Sequence, residues 1–140
     1  MFNKILLAVD GSEHALHAAR MAGDLARAMK SDILRIVVVF DRIPPYLGEP
    51  NLQHVIDARM REAQAILQAA QEAVGEIPGE IHTELIEGSP AEAIIDVATT
   101  RASHVIVIGS RGLGRIAGAV LGSTSHKVLA HAPCPVLIVR

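Results

Sequence analysis

Short apolar runs rich in β-branched residues alternate along this chain with longer segments whose apolar residues recur at helical spacing. The short runs predict five strands, at residues 4–9, 33–40, 81–86, 104–108 and 136–139. The longer segments predict four helices, the first capped by Ser12 and the others at about 52–74, 90–101 and 123–131. Strands that alternate with helices are typical of a parallel α/β sheet.

The 140 residues predict one domain, covering residues 1–140, with a single core. The last predicted strand, Val136 to Val139, consists of four consecutive apolar residues. An uncovered apolar strand at a sheet edge would tend to associate with another chain, so we expect a homodimer through this strand. The alternative is that the strand is buried within its own sheet.

Glycines mark the passage from the predicted fourth strand to the last helix. Gly109-Ser110-Arg111-Gly112 follows the apolar run, and Gly122-Ser123-Thr124 precedes the helix. Glycine allows the backbone to turn sharply and approach a ligand closely, and the N–H groups at a helix start favour an anion. This pattern predicts a phosphate-binding site.

The distribution of charge favours the same site. The first 96 residues hold eight basic and all 15 acidic residues, a net charge of −7, whereas the last 44 hold five basic residues and no acidic one. The overall net charge is −2 and only three residues are aromatic, which argues against nucleic acid as a partner. The apolar runs are too short for a membrane span or a secretory signal, so we expect a cytoplasmic protein without a membrane partner.

Two familiar phosphate motifs do not fit the glycine segment. Gly109 and Gly114 have the spacing of a P-loop, but Arg115-Ile116 stands where that motif needs Lys and Ser or Thr. The run from Gly112 to Ala117 imitates a dinucleotide fingerprint, yet no acidic residue follows it to hold a ribose hydroxyl. The hypothesis of a nucleotide site therefore rests on neither of these motifs.

The chain resembles the universal stress proteins, in particular their ATP-binding subgroup. The resemblance rests on the segment from Lys4 to Glu13, on Gly88-Ser89-Pro90, on the G-x2-G-x9-G-[S/T] pattern and on the ending from Ala132 to Val139. It implies a doubly wound, five-stranded parallel sheet with strand order 3-2-1-4-5, similar to the adenine nucleotide alpha hydrolases, and a homodimer. It also implies that ATP binds at the carboxyl ends of the strands, with Mg²⁺ or Mn²⁺ as the accompanying metal ion.

The resemblance assigns nucleotide-binding roles to particular positions. Ala8 and Asp10 would contact the adenosine, with Asp10 also a candidate metal ligand, and the backbone of Val39 would read the adenine edge. The loop after the fourth strand would surround the ribose and phosphates, and the start of the last helix would hold the terminal phosphates. These loop and helix residues are Gly109, Ser110, Arg111, Gly112, Leu113, Gly114, Arg115, Gly122, Ser123, Thr124 and Ser125; the two arginines are added because their charge suits phosphate.

Catalysis has weak support in the sequence, because the basic last third contains no carboxylate to act as a base. We therefore expect an ATP-binding stress-response protein that works as a sensor or switch, with slow or no hydrolysis and no assigned catalytic residue. Bound ATP would order the loop from Ser110 to Leu121 and so alter a surface or the dimer. The alternatives are a slow metal-dependent ATPase or phosphotransferase, and a dimeric scaffold that ignores nucleotide.

Overall fold

The structure is a computed structural model that describes residues 1–112 and 121–140. Its strands and helices alternate as the sequence pattern predicts. The strands are β1 (Lys4–Val9), β2 (Ile33–Phe40), β3 (Glu80–Glu87), β4 (Val105–Gly109) and β5 (Val136–Val139). The helices are α1 (Glu13–Met29), α2 (Asn51–Val74), α3 (Pro90–Thr100) and α4 (Ser123–His131).

The five strands form one parallel sheet in the order β3-β2-β1-β4-β5, which confirms the predicted fold class. In the centre, Ile5 pairs with Leu34 on one side and with Val105 on the other. The order reverses between β1 and β4, because the chain first builds outward to β3 and then returns to the other side of β1. Ligands of open parallel sheets bind at such a reversal, beyond the carboxyl ends of the strands.

Each face of the sheet carries two helices. Apolar residues of α1 and α2 pack on one face, against side chains such as Leu7 and Ile36. Apolar residues of α3 and α4 pack on the other face, against Leu6 and Ile106. Because β1 and β4 are covered on both sides, their apolar runs are continuous and almost fully buried.

Some element bounds differ by one residue from those predicted, whereas the cap of the first helix agrees. Strand β3 is a half-exposed edge, as its alternation predicts, and extends one residue further at each end. Strand β4 begins at Val105, one residue later than predicted, and the ring of His104 just before it accepts hydrogen bonds from the N–H groups of Asn3 and Lys4. Helix α1 has the predicted cap, in which the Ser12 hydroxyl accepts from the Ala15 N–H at 3.2 Å.

No helix within residues 1–112 and 121–140 combines the length and apolar character needed to cross a bilayer.

Candidate functional site

A cavity of about 400 Å³ opens beyond the carboxyl ends of β1, β2 and β4. It lies where the strand order reverses, with the start of α4 on one side and a face of α2 on the other. The structure brings most of the residues expected at a nucleotide site together around this space. They are Ala8, Asp10, Val39, Gly109, Arg111, Gly112, Gly122, Ser123, Thr124 and Ser125.

The floor of the cavity is built from small residues on neighbouring strands. Ala8 pairs with Ile108 across β1 and β4, and Gly109 ends β4. A side chain at position 109 would approach the α1 backbone closely, with a Cβ atom 2.9 Å from the carbonyl carbon of His14. The absence of that side chain lets α1 and β4 meet directly below the cavity.

Asp10 and Gly112 meet across the mouth of the site. The Oδ1 atom of Asp10 accepts a hydrogen bond from the Ser12 N–H at 2.9 Å, which ties the carboxylate to the start of α1. A Cβ atom at Gly112 would collide with the other carboxylate oxygen, Oδ2. A side chain at position 112 would therefore force the Asp10 carboxylate or the loop to shift, and glycine lets the two lie this close.

The N-terminus of α4 points its first-turn N–H groups toward the cavity. Its N-cap is Gly122, which has no side chain to accept from those groups. The Gly122 N–H donates to the Ser110 carbonyl at 2.6 Å, and the Ser125 hydroxyl donates to the Gly109 carbonyl at 2.6 Å. These two bonds fasten the helix start to the end of β4, leaving a positive helix end over the cavity.

The guanidinium group of Arg111 is the second source of positive charge at the cavity. Its carbonyl accepts from the Ser12 hydroxyl at 3.5 Å, so the backbone beside it is held against α1. Its side-chain Nε is buried and has no hydrogen-bond partner in the part of the chain that the structure describes. A buried guanidinium N–H without a partner is costly, and an anionic oxygen in the cavity would supply one.

Ser110 occupies a different position from its neighbours. The residue as a whole is 3% exposed and does not line the cavity. Its hydroxyl lies 2.7 Å from Nδ1 of His14, and its N–H donates to the Val139 carbonyl at 2.7 Å. Ser110 thus links α1, β5 and the Gly122 cap.

Three predicted site residues, Leu113, Gly114 and Arg115, lie outside the described residues, as does most of the predicted loop from Ser110 to Leu121.

The outer wall was not identified from the sequence. Arg59, Glu62, Ala63 and Ile66 of α2 line it, at the spacing of one helix face. That spacing predicts the amphipathic helix but does not tell which part of the face covers the sheet and which part extends over the strand ends. Other lining residues were also missed: Val9, Ser12, Ala15, Val37, Val38, Phe40, Asp41, Pro90, Ile94 and Ile108.

The described residues contain no group of three or more His, Cys, Asp or Glu side chains placed to hold a metal ion. Asp10 is the carboxylate nearest to Gly112 in the cavity wall. Mg²⁺ commonly takes one or two carboxylates together with phosphate oxygens and water. The donor set therefore fits a metal ion carried in with a polyphosphate better than one held by the protein alone.

The sequence model of the Universal stress protein family matches residues 1–140. This chain belongs to that family. A Thermus aquaticus relative named "Universal stress protein in QAH/OAS sulfhydrylase 3'region" is 43% identical over 140 residues, which cover all of both chains.

Solved structures support the same assignment. The universal stress protein UspA from Lactobacillus plantarum is 30% identical, with a TM-score of 0.86 over 99% of this chain and 98% of its own. Another universal stress protein, crystallised in complex with cAMP, is 26% identical, with a TM-score of 0.75 over 97% and 95% of the two chains. Membership of the family and the doubly wound fold are both confirmed.

Proposed function

We propose that this protein binds ATP in the cavity at the carboxyl ends of β1 and β4 and acts as a nucleotide-dependent sensor or switch. The observation that carries the proposal is the presence at one cavity of the α4 N-terminus, which has no side-chain cap, and of the Arg111 Nε, which has no partner among residues 1–112 and 121–140. Both features favour an anion. A relative of the same fold has been crystallised with cAMP, an adenine nucleotide.

The two ends of the cavity suit the two ends of a nucleotide. Half-buried Val39 supplies apolar surface for the adenine ring, and the backbone at the end of β2 would offer hydrogen bonds to its edge. Ser123, Thr124 and Ser125 supply N–H groups and hydroxyls for the β and γ phosphates. Ribose would lie between them, next to Asp10.

Mg²⁺ or Mn²⁺ would enter with the phosphates, with Asp10 as the protein ligand. A bound metal ion would neutralise phosphate charge. The residues that line the cavity hold the nucleotide in its ground state, and Asp10, Asp41 and Glu62 are the carboxylates among them. We assign Asp10 to the metal ion and give none of the three carboxylates the role of a base on an attacking water, so we infer slow or no hydrolysis.

A switch needs a conformation or an assembly that ATP favours. Ser110 offers a physical connection, because it joins the phosphate side of the cavity to β5 through the Val139 carbonyl. We place the homodimer contact on β5, from Val136 to Val139, and the protein in the cytoplasm. Nucleotide would then alter the loop after β4 and the dimer edge together.

The first experiment identifies the nucleotide. Protein purified without added ligand is denatured, and the supernatant is analysed by mass spectrometry. The proposal predicts an adenine nucleotide there, or, if none is retained, saturable binding of Mg-ATP by calorimetry. Absence of both would refute it.

A second experiment separates a switch from the alternatives. Amide hydrogen exchange across residues 110–121 and 136–139 should slow when Mg-ATP binds, with little phosphate released in a parallel assay. Metal-dependent turnover that disappears in Asp10→Ala would favour a slow ATPase instead. Unchanged exchange despite binding would contradict the switch.

A further inference from the structure

A second cavity lies at the opposite end of the sheet from the nucleotide cavity. It has a volume of about 280 Å³, and three cationic side chains line it: Lys4 at the start of β1, Arg35 of β2 and Arg101 just after α3. Thr100 and Ser103 add hydroxyl groups. None of these residues takes part in the site described above.

The two arginines converge on a single carboxylate oxygen. Oε1 of Glu84 accepts from Nη1 of Arg35 and from Nη2 of Arg101, both at 2.9 Å. One carboxylate therefore compensates two guanidinium groups. The Arg35 side chain is only 12% exposed, so its uncompensated charge is poorly screened by solvent.

The surrounding titratable groups reduce this excess without cancelling it. His82 lies 3.3 Å from Nη2 of Arg35 and 2.8 Å from a carboxylate oxygen of Glu80. The Glu80 side chain is 75% exposed, and Glu80 does not line the cavity. With both glutamates counted, the cluster of Lys4, Arg35 and Arg101 keeps a net positive charge.

We propose that this cavity binds a small phosphate-bearing anion, either inorganic phosphate or a small phosphomonoester. Guanidinium groups present planar sets of N–H donors that match phosphate oxygens, and the lysine adds a point charge. Each arginine has five N–H donors, so the bonds to Glu84 and His82 leave others for a ligand. The volume lies just below the range of pockets for larger organic ligands.

The direct test is an NMR titration of the full chain with sodium phosphate, with Mg-ATP present in one series and absent in the other. We expect saturable amide shifts at Arg35 and over residues 100–103, unaffected by ATP and weakened by added salt. Shifts confined to residues 122–125 would assign phosphate to the nucleotide cavity and overturn this proposal alone. No saturable shift at either place would also overturn it.

Substitutions locate the site. Lys4→Gln and Arg101→Gln should each weaken phosphate binding about tenfold, as expected for loss of a charged contact. Arg20→Gln removes a positive charge from an exposed position on α1 and should leave the affinity unchanged. Equal affinity in all three variants would contradict the proposal.

Glu84→Gln distinguishes an anion site from a purely structural ion-pair cluster. The substitution removes the carboxylate that competes with the ligand, so phosphate affinity should rise several-fold. A structural cluster predicts only lower stability, and a urea unfolding curve with and without phosphate separates the two. Unchanged or weaker phosphate binding in folded Glu84→Gln would refute the site.

A comparison of ligands then identifies the source of the anion. Tighter binding of glycerol 3-phosphate than of inorganic phosphate would support a phosphomonoester. Equal or weaker binding would support free phosphate.

Discussion

At the scale of single residues, the site depends on where side chains are missing as much as on where they are present. Gly109 and Gly112 bring backbone close to α1 and to Asp10, while Arg111 between them carries a buried Nε. Within the described residues, the cavity therefore combines backbone segments that pack closely with N–H donors that have no side-chain partner, at the start of α4 and on Arg111. This combination suits a phosphate-bearing ligand.

Gly112→Ala tests the close approach directly. The added methyl group would collide with Oδ2 of Asp10, so the loop or the carboxylate must move. We expect Mg-ATP affinity to fall at least about tenfold, as for loss of about 1.4 kcal/mol of binding free energy. Gly48→Ala is the control, because Gly48 does not line the cavity and no atom lies within 4 Å of its added methyl group. Its φ of +67° strains an alanine and so lowers stability, but calorimetry should find the Mg-ATP affinity unchanged. Equal affinities for the two variants would contradict the account.

Cys134 gives a pH-dependent prediction. Burial raises the pKa of its thiol, because desolvation disfavours the thiolate. Because the folded pKa lies above the unfolded pKa of about 8.5, the protonated thiol makes its full contribution to the free energy of unfolding below the unfolded pKa. That contribution is lost as the pH rises through the folded pKa. Between these pH values the native protein should lose stability in urea unfolding, and Cys134→Ala should lose less. Identical pH dependence of the free energy of unfolding in the wild type and Cys134→Ala would show that the thiol does not cause the loss of stability.

At the scale of elements, the proposed phosphate interaction falls on the N-terminus of α4, which lines the cavity. If backbone N–H groups supply most of it, Ser123→Ala should weaken Mg-ATP binding only a few-fold. Ser123→Asp places a negative charge at the same helix end and should weaken binding at least about a hundredfold, through repulsion of the phosphates. Calorimetry compares the pair. Similar losses in both would assign the interaction to the hydroxyl instead.

The packing of α1 against α2, on the face of the sheet opposite to α4, gives a second prediction at this scale. A Cβ atom at Gly23 of α1 would collide with the Val74 carbonyl at the end of α2. Glycine to alanine inside a helix ordinarily stabilises by up to about 1 kcal/mol. Here we expect Gly23→Ala to lower the free energy of unfolding by about 1–3 kcal/mol, measured in urea. An increase in the free energy of unfolding would show that α1 and α2 can move apart at this contact without loss of stability.

The periodicity of apolar residues predicts the elements well, because the residues on one face recur every second position in a strand and every third or fourth position in a helix. The bounds of β1, β2 and β5 agree with the apolar runs, and α4 begins at Ser123 as predicted. The outer wall of the cavity could not be predicted, since Arg59 and Glu62 look like ordinary exposed positions of an amphipathic helix. Long-range contacts also escape the sequence. The bond from Ser110 to His14 spans 96 positions along the chain.

At the scale of the whole molecule, β3 and β5 are the two edge strands of the sheet that the described residues form. β3 is an edge with polar alternation, whereas β5 is entirely apolar and half-buried except for Val139. An apolar edge favours a partner strand or a covering surface. The fold therefore makes β5 the better candidate for the proposed dimer.

Sedimentation velocity tests the assembly. We expect the wild-type protein to have the mass of a dimer, and Val136→Lys on β5 to shift it toward the monomer. Val136 is half-buried and packs against the core under α3 and α4, so circular dichroism has to establish that the variant is folded. Ile86→Lys, at a half-buried position of the opposite edge strand that packs against the same core, is the matched control and should remain dimeric. Dissociation by Ile86→Lys alone would move the interface to β3.

The central claim is that adenine nucleotide binds where β1, β4 and α4 converge. An NMR titration with Mg-ATP tests it most directly, since each amide reports its own position. We predict saturable shifts at Ala8, Val39, Gly109 and residues 122–125, with the stability rising by about 2.7 kcal/mol at a hundredfold excess over Kd. Saturable shifts elsewhere, or none at millimolar Mg-ATP, would contradict it.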